Sequence, residues 1–208
     1  LYLSAVCFYR LLKEKKMNLD LNQLVKWRRE FHRFPEIGWS EFWTTSRIAD
    51  YLEGLGCFEI FLGKQIINSD FVRGRKQAVV DKGLANAKAY GANEKWLEKM
   101  EGYTGCVALF DSGKPGKTIA LRFDIDCVNV TETRSSEHIP NKEGFASIND
   151  GFMHACGHDS HITIGLGVAL WIAQNKDKLT GKVKIVFQPA EEGVRGAAAI
   201  AQSGIIDD

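Results

Sequence analysis

The pattern of apolar and polar positions divides the chain into alternating helices and strands. Asp20 is placed to cap a helix whose apolar positions recur every three or four residues, and Pro35 follows its end. A second helix is predicted to start near Ser40, and Gly56 closes it before a strand over residues 58–62. The pattern therefore indicates two amphipathic helices followed by a strand.

The next segment, from about residue 68 to 102, is charged and contains many alanines. Helical spacing predicts helices over residues 76–89 and 93–101, and we interpret the segment as a helical excursion rather than part of a sheet. Two strands are predicted after it, over residues 105–110 and 118–123, with a turn rich in glycine and proline between them.

The last third of the chain continues this alternation. A polar loop covers about residues 129–151, a helix runs from His158 to about Gln174, a strand covers residues 183–187, and a helix of small residues covers 194–202. Strands that alternate with helices predict an α/β fold, a mixed sheet with helices on both faces. Sites in such sheets lie past the carboxyl ends of the strands, where four acidic residues fall: Asp124, Asp126, Glu191 and Glu192.

Composition excludes several classes of partner. The 208 residues carry a net charge of +1, which gives no reason to propose nucleic acid or an anionic membrane as a partner. The apolar start, residues 1–9, is shorter than the roughly 20 residues that span a bilayer. Residues 1–19 are interpreted as a leader that begins upstream of a natural start at Met17. The five cysteines are odd in number and scattered, which predicts reduced thiols and a cytoplasmic protein.

Two short clusters carry the chemistry. Residues 153–161 hold three of the five histidines together with Cys156, and residues 187–193 hold the adjacent pair Glu191 and Glu192. Thiolate, imidazole and carboxylate are the ligands of transition-metal sites. A second carboxylate beside such a site can act as the base in metal-assisted hydrolysis. Together the clusters indicate a metallohydrolase.

Each candidate also has a plainer interpretation. Cys156 and His158 can reach one ion only from a turn that enters the helix, and otherwise they are a buried thiol beside capping groups. The glutamate pair alone could be an exposed acidic turn, and Asp124 and Asp126 could cap the following loop. A packing or surface role is predicted for His32. The sequence leaves the role of His138 open.

Four longer runs resemble metal-dependent amidohydrolases of the aminoacylase, hippurate hydrolase and indoleacetyl-amino-acid hydrolase family. These runs are residues 27–36, 122–126, 153–161 and 186–193. The resemblance extends from about residue 20 to 208. Further short segments are most similar to the family members that act on p-aminobenzoyl-glutamate: residues 38–42, 102–105 and 150–153. The family usually continues its Asp-x-Asp element with Ala-Leu, whereas this chain has Cys127 and Val128.

The resemblance implies a set of site residues. Cys156, His158 and Glu192 would be the metal ligands, and Glu191 would be the general base. Asp126 would orient a ligand, and three further residues would surround the site: Asp124, His154 and His161. The ion implied is Mn²⁺, with Zn²⁺ as the alternative because thiolate and imidazole are soft ligands, and the centre would hold one ion or a pair.

The resemblance also implies a fold and a reaction. Residues 20–208 would form the amino-terminal part of a zinc-peptidase-like catalytic domain, without the second domain for lid and dimerisation. The reaction would be hydrolysis of an N-acyl amino acid, foremost p-aminobenzoyl-glutamate, by a protein with a homologous partner subunit or a homodimer. Alternatives are a non-catalytic metal-binding fragment, a hydrolase of another N-acyl amino acid, and a redox or nucleophilic Cys156.

Overall fold

The computed structural model describes residues 20–207, whose strands form one mixed sheet in the order β1–β2–β4–β3. The strands are β1 (Glu59–Leu62), β2 (Cys106–Asp111), β3 (Thr118–Asp124) and β4 (Lys182–Gln188). The pairs β1–β2 and β2–β4 are antiparallel, whereas β3 and β4 are parallel. The predicted mixed sheet is confirmed, and each strand lies within one or two residues of its predicted bounds. The predicted leader lies outside the described residues.

Helices surround this sheet. In chain order they are α1 (Leu21–Arg33), α2 (Phe42–Leu55), α3 (Gln77–Ala89), α4 (Glu94–Met100), α5 (Ile139–Lys142), α6 (His158–Asn175) and α7 (Ala197–Ala201). The predicted excursion is confirmed as α3 and α4. No helix within residues 20–207 has the length and apolar character to span a membrane.

Local signals set the helix ends. The Asp20 side chain accepts a hydrogen bond from the N–H of Asn22 and so caps α1. Gly56 adopts the left-handed conformation, φ 66°, that closes α2. The start of α2 is capped from a distance, because the buried Glu36 carboxylate accepts the N–H groups of Trp43 and Thr44.

The two faces of the sheet are both covered. Alternation along β2 sends Cys106, Ala108 and Phe110 into the core formed with α1, α2, α4 and α6. Val107 points to the other face, where it packs in a smaller cluster that includes Ala199 of α7. Helices therefore lie on both faces, as predicted, although α7 is a short cover.

Parallel pairing places two loops at the same edge. Asp124 at the end of β3 is in register with Gln188 at the end of β4, and the Ile125 N–H donates to the Gln188 carbonyl oxygen. The segment before α6 reaches this edge through a bridge between Val128 and Met153. The residues after β3, after β4 and before α6 therefore converge.

Two local predictions were wrong. The last helix starts at Ala197 rather than residue 194, because Ala190 and Val194 adopt left-handed backbone conformations that turn the chain tightly after β4. The loop over residues 129–151 was predicted without structure but contains α5, which has Pro140 in its first turn.

Candidate metal centre

His158 is the central side chain of the site. It is the first residue of α6, and Gly157 before it takes φ 83° at the turn that enters the helix. The buried ring places Nδ1 2.8 Å from the Asp126 carbonyl oxygen and 3.4 Å from its carboxylate. Nε2 therefore faces the glutamate pair, 3.8 Å from Glu191 Oε2 and 4.0 Å from Glu192 Oε1.

The glutamate pair is positioned through its backbone. The N–H groups of Glu191 and Glu192 donate to the two carboxylate oxygens of Asp126, at 3.1 and 3.0 Å. The preceding N–H, of Ala190, donates to Oε1 of the fully buried Glu41 at 2.7 Å. Since the amides are held from behind, the two glutamate side chains are free to face His158.

The donors of this group fit a divalent cation. Glu192 Oε1 is buried and has no hydrogen-bond partner, although it faces His158 Nε2. Ligand atoms that each lie ~2.1 Å from one ion are separated by about 3–4 Å, which matches these contacts. Ligand atoms of His158, Glu191 and Glu192 all lie within 4.8 Å of one another. An unpartnered buried oxygen opposite an imidazole nitrogen is where a cation would sit.

A second group of donors shares His158. His161 lies one turn along α6, its ring stacks on that of His158, and its Nδ1 is 3.3 Å from Asp124 Oδ2. Asp124, His158 and His161 form a group of the same compactness as the first. Burial raises the pKa of Asp124, but the bond from His161 and the charge of Arg122 outweigh it and lower that pKa. The edge thus offers donors for two ions.

Cys156 lies beside these groups rather than within them. Its side chain is exposed, and a hydrogen bond to Glu192, together with partial burial and nearby carboxylates, raises the pKa of the thiol to about 11. A nucleophilic or redox-active cysteine needs a lowered pKa. The geometry therefore disfavours that alternative and leaves Cys156 next to a carboxylate of the site.

The charge of His158 depends on its acidic neighbours. Burial alone would lower its pKa, but hydrogen bonds to Asp126 and the charges of Asp126 and Asp124 raise it to about 9. Without a metal, the ring therefore carries a proton among carboxylates at neutral pH. A bound cation would replace that proton.

His154 belongs to neither group. The ring is buried and neither nitrogen has a hydrogen-bond partner, so burial lowers its pKa to about 4. Asp159, His32 and His158 are its closest charged neighbours in their electrostatic effect. A supporting role for His154 stays a prediction.

The packing or surface role predicted for His32 was too simple. The ring is 2% exposed and joins two buried carboxylates, with Nδ1 2.8 Å from Asp159 Oδ2 and Nε2 3.0 Å from Glu132 Oε1. Asp159 also contacts Arg28, and Glu132 also contacts His138, which settles where His138 points. We call these five residues the charge chain. Its partners lie 100 and 127 positions apart in sequence, so no local signal could reveal them.

Glu41 was also missed. The segment that contains it was noted only for its resemblance, yet its carboxylate accepts from both Ala190 N–H and the Thr104 hydroxyl. A glutamate at the edge of a predicted helix gives no sign of burial.

Comparisons with known proteins agree with this geometry. Residues 120–208 match the profile of Peptidase family M20/M25/M40. The chain is 97% identical over 192 residues to a p-aminobenzoyl-glutamate hydrolase subunit homolog of Haemophilus influenzae, a match that covers 92% of this chain and 45% of that protein. The chain thus spans less than half the length of this relative.

Two solved structures share the fold. One is the aminobenzoyl-glutamate utilization protein from Klebsiella pneumoniae, with a TM-score of 0.72 and 36% identity over 90% of this chain and 41% of that one. The other is the Bacillus subtilis YXEP protein, described as a dinuclear metal binding peptidase from the M20 family, with a TM-score of 0.64 and 29% identity over 89% and 40%. This chain therefore belongs to peptidase family M20/M25/M40.

Proposed function

We propose that the protein containing this chain hydrolyses the amide bond of N-acyl amino acids, foremost p-aminobenzoyl-glutamate to p-aminobenzoate and glutamate. The observation that carries the proposal is the convergence of His158 Nε2 with Glu191 and Glu192 around a buried carboxylate oxygen that has no partner. The name of the Haemophilus influenzae relative supports the choice of substrate.

In this proposal Cys156, His158 and Glu192 hold the metal and Glu191 is the general base. A bound divalent cation would supply Lewis acidity, which activates water and stabilises the charge that develops on the amide oxygen. The Glu191 side chain is 36% exposed, so water and substrate can reach it. Its carboxylate takes the proton from the attacking water and delivers it to the leaving amine. Asp126 keeps the base in place by holding the Glu191 amide.

The ion we propose first is Mn²⁺, with Zn²⁺ as the alternative. A pair of ions is supported by the second group of donors, Asp124 with His161, and by the description of the Bacillus subtilis relative as dinuclear. Asp124 and His161 would then belong to the second ion, sharing His158.

The remaining proposals concern the whole protein. Residues 20–208 would be the amino-terminal part of its catalytic domain, and a second domain would lie in the length that the relatives have beyond this match. The name of the Haemophilus influenzae relative describes one subunit of a hydrolase, which supports a homologous partner chain, with a homodimer as the alternative. A cytoplasmic location is proposed from the scattered cysteines.

Metal content of the purified chain tests the centre. Elemental mass spectrometry should find about one ion or more per chain, and the double variant Cys156→Ser, His158→Ala should lose it. Cys57→Ser is the matched control, because Cys57 is a half-buried free thiol outside the site. Equal metal content in the wild type and the double variant would contradict the assigned ligands.

Activity is tested in the longer protein. Glu191→Gln should lower kcat for p-aminobenzoyl-glutamate by about 10²–10⁴-fold, because the amide cannot accept the proton, while metal content is retained. Full activity of Glu191→Gln would exclude Glu191 as the base. Faster turnover of other N-acyl amino acids would favour the alternative substrate class. Metal binding by the 208-residue chain without hydrolysis would favour the metal-binding fragment.

A further inference from the structure

The loop that carries the glutamate pair is gripped by two buried carboxylates, and only one of them lies next to the site residues in sequence. Three consecutive N–H groups point backward, that of Ala190 to Glu41 and those of Glu191 and Glu192 to Asp126. We call these two acids and the residues 190–192 the acidic loop. Both acids are 0% exposed, so water cannot take over either contact.

The backbone at this point requires such a grip. Ala190 has φ 51°, a conformation that costs free energy for any residue with a Cβ atom. The Ala190 carbonyl oxygen accepts from the N–H groups of Arg195 and Gly196, which fixes the far side of the same turn. Glu41 supplies the remaining contact, on the N–H side, and thereby fixes the peptide that leads directly into Glu191.

Glu41 is itself held in a defined orientation. Its second oxygen, Oε2, accepts from the Thr104 hydroxyl at 2.6 Å, and Thr104 is also fully buried. With one oxygen on Thr104 and the other on Ala190, the carboxylate cannot rotate without losing a hydrogen bond. The contact to Ala190 spans 149 positions, so it links the start of α2 to the end of β4.

We propose that Glu41 is a positioning residue for the glutamate pair: through the Ala190 N–H it sets the direction in which Glu191 and Glu192 face His158. The inference rests on the proposed metal centre. It adds that the placement of Glu192 as a ligand depends on a residue at the start of α2 that touches neither metal nor substrate.

The test is Co²⁺ binding by the chain, followed through the visible absorption of the ion, which reports its ligand geometry. Glu41→Leu fills the same space but cannot accept from Ala190. It should weaken Co²⁺ binding about 10–100-fold and change the spectrum, because loss of groups that orient ligands has effects of that size. Glu41→Gln should restore both, since its carbonyl can accept from Ala190 while its amide donates to Thr104.

Glu36→Leu is the matched control. Glu36 is also buried and also accepts two backbone N–H groups, those of Trp43 and Thr44, but it does not contact the acidic loop. Its Co²⁺ affinity and spectrum should stay those of the wild type even if stability falls. Equal weakening by Glu36→Leu and Glu41→Leu would mean a general loss of structure and would overturn the proposal.

Other outcomes also decide. Wild-type Co²⁺ affinity and spectrum in folded Glu41→Leu would overturn the positioning role, as would a folded Glu41→Gln that binds as weakly as Glu41→Leu. If Glu41→Leu does not fold, Thr104→Val decides, because it frees Oε2 of Glu41 and should weaken binding in the same direction. Unchanged binding in Thr104→Val would then overturn the role. Wild-type chain that binds no Co²⁺ would instead refute the metal centre itself.

Discussion

Two sets of buried charges flank His158, and they are balanced differently. In the charge chain every carboxylate meets a cationic partner, since Asp159 contacts Arg28 and His32 and Glu132 contacts His32 and His138. In the acidic loop, Glu41 and Asp126 are held mainly by backbone amides. Among the described residues, His158 is the cationic side chain that contacts Asp126 and the glutamate pair.

The difference separates a structural network from a binding site. Opposite charges in the charge chain offset the cost of burial within the protein, so it needs no ligand. Backbone amides offset that cost less completely, and the like charge of Asp126 adds to burial in raising the pKa of Glu41 to about 8. Excess negative charge around unpartnered ligand atoms favours a cation. Charge balance therefore indicates which of two neighbouring polar clusters binds metal.

The strongest test of this contrast is the pH dependence of metal affinity. Without metal the pKa of His158 is about 9 and that of Cys156 about 11, so both must release a proton when they bind. Below pH 9, affinity should rise by up to about two decades per pH unit, or roughly 10⁴-fold from pH 6 to pH 8. Competition with a chelator measures this. Cys156→Ser should reduce the slope to one proton, and an affinity independent of pH would contradict both ligand assignments.

The charge chain should respond in stability rather than in metal dependence. His32→Leu removes the link between Asp159 and Glu132 and leaves two buried carboxylates with fewer partners. Urea unfolding of the metal-free chain should show a loss of about 3–5 kcal/mol. His138→Leu, at the half-buried end of the chain, should cost less. An unchanged unfolding free energy for His32→Leu would mean that the network is not a stabilising unit.

His154 lies in the electrostatic range of both regions and should give the chain an acid-sensitive stability. Burial lowers its pKa to about 4, below the value of 6.5 for an unperturbed histidine. Its contribution is therefore full above pH 6.5 and is lost as pH falls toward 4, with about 2 kcal/mol lost between pH 7 and pH 5. Metal-free His154→Asn should lose less on acidification. The same pH slope in both proteins would show that the imidazole is protonated in the fold.

The smallest effect is expected at an exposed ion pair in the same loop as Glu132. Arg134 contacts Asp150, and both side chains are largely exposed. Solvent screens such pairs, so Arg134→Ala should change the unfolding free energy by less than about 1 kcal/mol. A loss as large as that of His32→Leu would erase the distinction between buried and exposed charges on which the comparison depends.

Local sequence determined the elements and the chemistry. Asp20, Gly56 and the apolar spacing predicted the first helices, and the strands fell within one or two residues of their observed bounds. Cys156, His158 and the glutamate pair were recognisable because each cluster is short, and its residue types alone specify metal ligands. Parallel strands then implied a common edge for the residues that follow them. These features depend on neighbours a few positions apart, and a single sequence contains that information.

Tertiary structure decided which buried groups meet. Glu41 reaches Ala190 across 149 positions, and His32 reaches Asp159 across 127. Neither glutamate nor histidine in an amphipathic helix indicates which partner it will find, because the partner is set by the packing of α1, α2 and α6 around the sheet. Local hydrogen bonds and turn conformations make the elements, whereas a buried charge is stable only where distant elements supply its partner. The sequence by itself therefore named the ligands, and the fold decided what holds them in place.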